Sequence, residues 1–124
     1  MAEPEVFKKN IRQLIVQEYQ IEFLGNDFDR IARLISETQE NRIYSWLKKV
    51  MKKTVQPIVL GSQKPYKEWQ MNQLLVFRHQ FSIANNEYRI LFVKVKNSIY
   101  IEFHLGDHKY YDKVRKEMGL KQNG

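Results

Sequence analysis

The residues that could carry out chemistry gather in the last third of the chain. Glu102 and His104 can take up or release protons, and His108 follows four residues later. Cationic and aromatic side chains accompany them, and these residue types stabilise phosphate charge and stack on nucleobases. They are Arg78, Lys94, Tyr100, Lys109, Tyr110 and Tyr111. The combination favours acid–base chemistry on a substrate that contains phosphate.

Three strands must position these groups, because apolar and polar residues alternate through this part of the sequence. The alternation covers residues 75–83, 90–96 and 98–105. Tight turns at residues 84–86 and 96–98 join the strands into an antiparallel meander.

The register of the meander follows from collecting the apolar residues on one face. Three-residue loops at both turns place Phe77 opposite Val93 and Val93 opposite Ile101. The other face is then open to water. It carries Arg78, Gln80, Tyr88, Phe92, Lys94, Tyr100, Glu102 and His104. Arg89 and His79 fall on the apolar face, where His79 is expected to be a core histidine.

The first half of the chain is predicted to be helical, since its apolar residues recur at three-to-four spacing. One stripe runs from Val6 to Tyr19, and a second, after a turn at residues 25–27, runs from Phe28 to about Lys53. Two helices that are close in sequence form a hairpin, whose apolar stripes can cover the apolar face of the sheet.

The remaining segments are a loop and a C-terminal helix. Residues 54–73 contain prolines and glycine and are expected to be irregular, with a short edge strand at 57–61. A short helix is predicted from about Asp107 to Met118, with Gly119 as its stop.

These elements predict an α+β fold in one domain over residues 1–124. An N-terminal helical hairpin packs on one face of an antiparallel sheet of three to four strands, and a short helix ends the chain.

The charge is unevenly distributed. The sequence has 21 Lys and Arg against 14 Asp and Glu, yet residues 1–40 hold five basic and eight acidic residues. The strongly basic remainder indicates a polyanionic partner, most simply a nucleic acid. A basic composition without a specific partner is the alternative. The lysines at 48, 49, 52 and 53 are either a phosphate-contacting patch or a solvated helix end.

Several kinds of chemistry are excluded or disfavoured by composition. The sequence has no cysteine, which rules out disulfides, cysteine-ligated zinc and thiol nucleophiles. His104 and His108 are separated by Gly106 at a strand end, so they do not form the helical pair of a zinc site. We therefore expect neither a metal nor a cofactor. The N-terminus is acidic and the apolar runs are short, so we expect a cytoplasmic protein without membrane contact.

Two segments resemble the C-terminal half of the RelE/ParE toxin superfamily. They are EYRILFVKV at residues 87–95 and IYIEFHLGDHKYY at residues 99–111, and the resemblance covers about residues 74–118. It implies the toxin of a toxin–antitoxin pair, which cleaves messenger RNA, often at the ribosome, and binds a cognate antitoxin protein. In that reaction a base helps the 2′-hydroxyl attack the adjacent phosphate, and an acid protonates the leaving 5′-oxygen.

The resemblance assigns roles to particular residues. Arg89 matches the arginine of the family's YRI strand, and His108 and Lys109 match its basic pair after glycine. Either Tyr110 or Tyr111 matches its later tyrosine. Together with the residues themselves, this makes His104, His108, Glu102 and Tyr111 the catalytic candidates. The candidates for nucleic-acid binding are Arg78, Arg89, Lys94, Tyr100, Lys109 and Tyr110.

A second function stays open. The ParE branch of the family inhibits DNA gyrase through protein contacts and needs no acid–base pair. The chain could equally be a non-catalytic nucleic-acid-binding protein of a phage or mobile element, which would bind in a salt-sensitive way without cutting.

Overall fold

The computed structural model describes residues 3–15, 18–60 and 64–120. Its elements in chain order are α1 (Pro4–Leu14), β1 (Gln20–Leu24), α2 (Phe28–Leu34), α3 (Glu37–Met51), a 3₁₀ turn (Met71–Gln73), β2 (Leu74–Ile83), β3 (Asn86–Val95), β4 (Tyr100–Asp107) and α4 (His108–Met118). The α+β class is confirmed, as is the C-terminal helix, which Asp107 caps and Gly119 ends in a left-handed conformation with φ of 72°.

The second predicted helix is in fact two helices, so the single helix predicted from Phe28 to Lys53 is wrong. The chain leaves helical geometry at Ile35 and Ser36. The Ser36 hydroxyl then accepts a hydrogen bond from the backbone N–H of Gln39 at 3.2 Å, which begins α3. Serine favours this N-cap position because its oxygen satisfies an otherwise unpaired N–H of the first turn.

The fourth strand, β1, was not predicted. It pairs in parallel with β4, from Gln20 opposite Tyr100 to Leu24 opposite His104. The sheet order is β1-β4-β3-β2, so three antiparallel strands gain a parallel one and the sheet is mixed. The predicted edge strand at 57–60 is only an isolated bridge from Leu60 to Leu120, and Gly61, its predicted last residue, lies outside the described residues.

The predicted register is wrong by one residue in both hairpins. Only Ala84 and Asn85 lie between the pair Ile83–Asn86, and both have positive φ, 48° and 70°. A two-residue turn of this kind matches the twist of the flanking strands. Phe77 therefore lies opposite Phe92, and Val93 lies opposite Glu102.

Because of this shift, every side chain of β3 lies on the opposite side of the sheet from the one predicted. The predicted set of residues on the open face is therefore wrong. Tyr88, Phe92 and Lys94 point toward the helices, while Arg89 points to the other face, because alternate residues face opposite sides of the sheet. One face packs against α1, α2 and α3. The other is covered by α4 and by residues from the segment 58–71, whose buried members are Tyr66 and Met71.

A prediction concerns Gly25, at the turn between β1 and α2. Its φ is +152°, and a Cβ there would lie 2.2 Å from the carbonyl oxygen of Leu105. We expect Gly25→Ala to lower the free energy of unfolding by about 2 kcal/mol or more, since both the backbone and its neighbour must shift. Urea denaturation measures the loss. The neighbouring exposed change Asn26→Ala should alter it by less than about 0.5 kcal/mol, and an equally mild effect of both changes would contradict the prediction.

Candidate functional site

A buried hydrogen-bond network lies under α4, centred on Glu102, which is 1% exposed. One carboxylate oxygen, Oε1, accepts hydrogen bonds from the Tyr66 hydroxyl and from Nε2 of His104, both at 2.8 Å. The other oxygen pairs with the ammonium group of Lys67 and lies 2.8 Å from the Tyr100 hydroxyl, whose single proton it shares with a carboxylate oxygen of Glu22 at the same distance. The carboxylate thus has four donors, which explains how a charge can lie in the interior.

These contacts fix the protonation of the network. Burial alone would raise the pKa of Glu102, but the hydrogen bonds from His104, Lys67 and Tyr66 outweigh it and lower the pKa to about 2. Burial and the neighbouring Glu102 raise the pKa of the Tyr66 hydroxyl, and burial with hydrogen bonds to Glu22 and Glu102 does the same for Tyr100. Glu102 is therefore ionised at neutral pH, and both hydroxyls keep their protons.

His104 belongs to the same network and is 4% exposed. Its Nδ1 lies 2.7 Å from the hydroxyl of Tyr110, while its Nε2 is engaged by Glu102. Burial, followed by the charges of Glu102 and Glu117, raises the pKa of Tyr110 to about 12. Both ring nitrogens of His104 are thus occupied, and the chain Glu102–His104–Tyr110 ties β4 to the first turn of α4.

A different histidine lies at the surface. His108 is the first residue of α4, and its side chain is 61% exposed. Its Nδ1 lies 3.1 Å from Oδ2 of Asp112, one helical turn later, and this carboxylate orients the ring. The ring borders an open pocket of about 650 Å³, together with Arg30, Glu87 and Lys109. Its Nε2 has no hydrogen-bond partner in the described part of the chain.

Two arginines lie on the face covered by α4, around the ring of Tyr111. Nη1 of Arg78 donates a hydrogen bond to the Tyr111 hydroxyl at 3.1 Å. The guanidinium of Arg89 lies 4.7 Å from the centre of the same ring, a cation–π contact. The expectation that Arg89 lies on the same face as the core residues Phe77 and Ile101 is wrong: it pairs with Gln80 in β2 and points to the face covered by α4.

The guanidinium of Arg89 is only partly satisfied. Its Nη2 lies 3.4 Å from Oε2 of Glu87, whose side chain is 48% exposed. Its Nε and Nη1 are buried and find no acceptor among the described residues. Glu87 also lines the pocket of His108, so the carboxylate that pairs with Arg89 borders that pocket as well.

The predicted site residues thus divide into three groups. Glu102, His104, Tyr100 and Tyr110 form the buried network. His108, Lys109, Arg78, Arg89 and Tyr111 lie around the start of α4. Lys94 is apart from both, since it points to the helical face, with its ammonium 5.1 Å from the ring centre of Tyr19.

Lys67 and Asp112 are among the contributing residues that were not predicted. Lys67 reaches Glu102 across 35 positions of sequence, which no local pattern signals. Asp112 could have been found, because a carboxylate four residues after His108 lies on the same face of a helix.

No group of three metal-binding side chains comes together within residues 3–15, 18–60 and 64–120. No helix in these ranges has the length and apolar character needed to cross a membrane. No family model matches the sequence, and the searches of curated proteins and of solved structures return no match either.

Proposed function

We propose that this chain is the toxin of a toxin–antitoxin pair and cleaves messenger RNA at the site formed by His108, Arg78, Arg89 and Tyr111. The observation that carries the proposal is the guanidinium of Arg89, in which two buried nitrogens, Nε and Nη1, have no acceptor among the described residues. The RelE/ParE resemblance of residues 74–118 supports the same conclusion. So does the order of elements, in which a mainly helical first half is followed by a three-stranded meander and a C-terminal helix.

The guanidinium of Arg89 is suited to a further anion. Among the described residues, the carboxylate that pairs with it is Glu87, which is half-exposed and 3.4 Å away. An unsatisfied buried donor costs free energy until a ligand accepts from it. Two oxygens of one phosphate group can accept hydrogen bonds from two N–H groups of the same planar guanidinium. The ring of Tyr111 holds the Arg89 guanidinium in place for this contact.

His108 supplies the proton transfer. The 2′-oxygen of the RNA forms a bond to phosphorus while the bond from phosphorus to the 5′-oxygen breaks. One proton leaves the 2′-hydroxyl and one reaches the 5′-oxygen, which yields a 2′,3′-cyclic phosphate and a 5′-hydroxyl. Asp112 orients the ring of His108 for one of these transfers, and the hydroxyl of Tyr111, beside Arg78, is the second proton-carrying group of the site.

Glu102 and His104 act as positioning residues in this proposal. Their polar atoms are engaged with one another and with the other members of the buried network, so we assign them no contact with the substrate. Through the hydroxyl of Tyr110 they hold the turn of α4 that carries His108 and Tyr111. The partners of the protein are messenger RNA, the ribosome that carries it and a cognate antitoxin protein, all of them in the cytoplasm.

The test is a cleavage assay on a defined messenger RNA, with and without ribosomes. We expect cuts whose fragments end in a 2′,3′-cyclic phosphate and begin with a 5′-hydroxyl. An RNA with a 2′-O-methyl group at the mapped cut position should stay intact there. If no cut appears in either condition, the nuclease proposal fails, and salt-dependent RNA binding would then favour the non-catalytic alternative.

The Arg89 contact has a test of its own. Arg89→Gln should weaken binding of an RNA methylated at the cut position about tenfold, because one charge-assisted phosphate contact is lost. The matched control is Arg33→Gln, since Arg33 is exposed on α2 and forms no ion pair with a described residue. Equal affinities of the two variants would exclude Arg89 from the RNA site.

A further inference from the structure

A second pocket lies on the helical side of the sheet, between α3 and the edge strand β2. It measures about 610 Å³. Its floor is aromatic, because the rings of Trp46 and His79 lie with their centres 5.2 Å apart and their planes inclined by 37°. The indole is fixed from below by the core residue Phe92, which it meets edge to face with ring centres 6.4 Å apart.

The rim of this pocket is cationic and polar. It is formed by Thr38, Asn41, Arg42, Ser45 and Lys49, which recur along one side of α3. No carboxylate lines the pocket, and neither Arg42 nor Lys49 forms an ion pair with a described residue. The positive charge at the rim is therefore not neutralised by the lining residues.

The polar atoms of the floor have no hydrogen-bond partners either. Within the described ranges, neither the indole N–H of Trp46 nor a ring nitrogen of His79 forms a hydrogen bond. His79 is half-buried, so the expectation of a core histidine holds only in part. Burial lowers the pKa of His79, which favours the neutral ring.

We propose that this pocket, the Trp46 pocket, binds one nucleotide unit of single-stranded RNA. The base stacks on the Trp46 and His79 rings, since every nucleobase presents a flat π-face to an aromatic platform. The adjoining phosphate meets Arg42 and Lys49, which supply the positive charge for it. An aromatic ligand without a negative charge would leave these cations unused.

The Trp46 pocket deepens the proposed function and rests on it. Arg78 and His79 are consecutive residues of β2, the outer strand of the described sheet, and they point to opposite faces. A single RNA strand that crosses this edge can contact the arginine pair with one phosphate and the Trp46 pocket with a neighbouring nucleotide.

Fluorescence of a variant with one tryptophan tests the pocket. The chain has two tryptophans, so Trp69→Phe makes Trp46 the sole source of indole emission. The probes are a five-nucleotide deoxyadenosine oligomer, which lacks the 2′-hydroxyl and cannot be cut, and an abasic phosphodiester of the same length and charge. We expect the deoxyadenosine oligomer to quench the Trp46 emission and the abasic one to leave it nearly unchanged. Equal responses to both probes would overturn base stacking.

Affinity for the labelled deoxyadenosine oligomer, followed by anisotropy, gives an independent measure. Trp46→Leu should weaken binding at least about fivefold through lost stacking. The exposed pair Arg42→Gln and Lys49→Gln, which does not disturb the core, should weaken it about tenfold. The control Lys9→Gln removes an exposed charge on α1 and should leave affinity unchanged. Unchanged affinity in all these variants would refute the pocket.

The two proposals can fail separately. If the wild-type protein cuts RNA but the oligomer neither quenches Trp46 nor depends on Arg42 and Lys49, only the Trp46 pocket is refuted. If quenching and the loss of affinity occur without any cut in RNA, the pocket stands and the nuclease is refuted.

Discussion

Replacing His108 with alanine is expected to reduce RNA cleavage at least about 100-fold, because a positioned general acid or base contributes about that much or more. The protein should remain folded, since the side chain is 61% exposed and, among the described residues, forms an ion pair with Asp112 alone. Cleavage rates on a defined messenger RNA and the midpoint of urea unfolding measure the two effects. We also expect expression of the wild-type chain to arrest the growth of cells, and expression of the His108→Ala variant to permit it.

Two other changes on α4 make this result specific. Asp112→Asn keeps the shape of the side chain but loses the charge that orients His108, so we expect a smaller loss of cleavage at unchanged RNA affinity. Lys113→Ala removes an exposed neighbour and should leave the rate unchanged. Full activity of the His108→Ala variant would remove His108 from the mechanism.

Glu102→Gln is expected to cause the largest loss of stability. The change leaves the shape of the side chain intact but removes the negative charge of the carboxylate. This charge compensates Lys67, and four donor groups surround the carboxylate oxygens. The Lys67 side chain is 44% exposed and stays solvated, so the cost of about 3 kcal/mol comes from the buried donors Tyr66 and His104, which lose a charged acceptor. Urea denaturation at pH 7 measures this difference. The control is Glu68→Gln, which removes an exposed carboxylate of the same segment.

The pH dependence of this difference has a definite sign. The pKa of Glu102 is lowered from 4.5 to about 2 in the folded protein. The stabilisation from this shift, about 3 kcal/mol, is therefore complete above the unfolded pKa and disappears as the pH falls toward the folded pKa. The stability difference between wild type and Glu102→Gln should thus shrink between about pH 5 and pH 2. A difference that stays constant over this interval would show that Glu102 does not carry the charge that we assign to it.

Sequence patterns predicted the structure correctly where a single local physical effect determines it. The alternation in β2 and β4 placed Arg78, Glu102 and His104 on the correct face, and the Asp107 cap and Gly119 stop bounded the last helix. The register failed because it depends on turn length, and an alanine at positive φ, as at Ala84, has no distinctive signal.

The faces of β3 could not be assigned for a different reason. From Ile90 to Val93 the strand is apolar on both sides, because both faces of the sheet are covered. Alternation then gives no preference between two registers that differ by one residue. Residues far apart in sequence, such as Tyr66 and Tyr111, cover the face that we expected to be open to water. That face is therefore buried. The contacts of Glu102 with Tyr66 and Lys67 could not be predicted because of these long separations, whereas the side of the sheet on which Arg89 lies was predicted wrongly through the register alone.

The placement of β1 beside β4 has a consequence for how the protein is made. Residues 20–24 pair with residues 100–104, so about four fifths of the chain must be synthesised before the first strand finds its partner. Until then the apolar residues of α1, such as Phe7 and Ile11, lack most of the sheet that buries them. Pairing over such a distance is slow and comes late. The parallel pair of β1 and β4 therefore forms only after residues 100–104 have been synthesised.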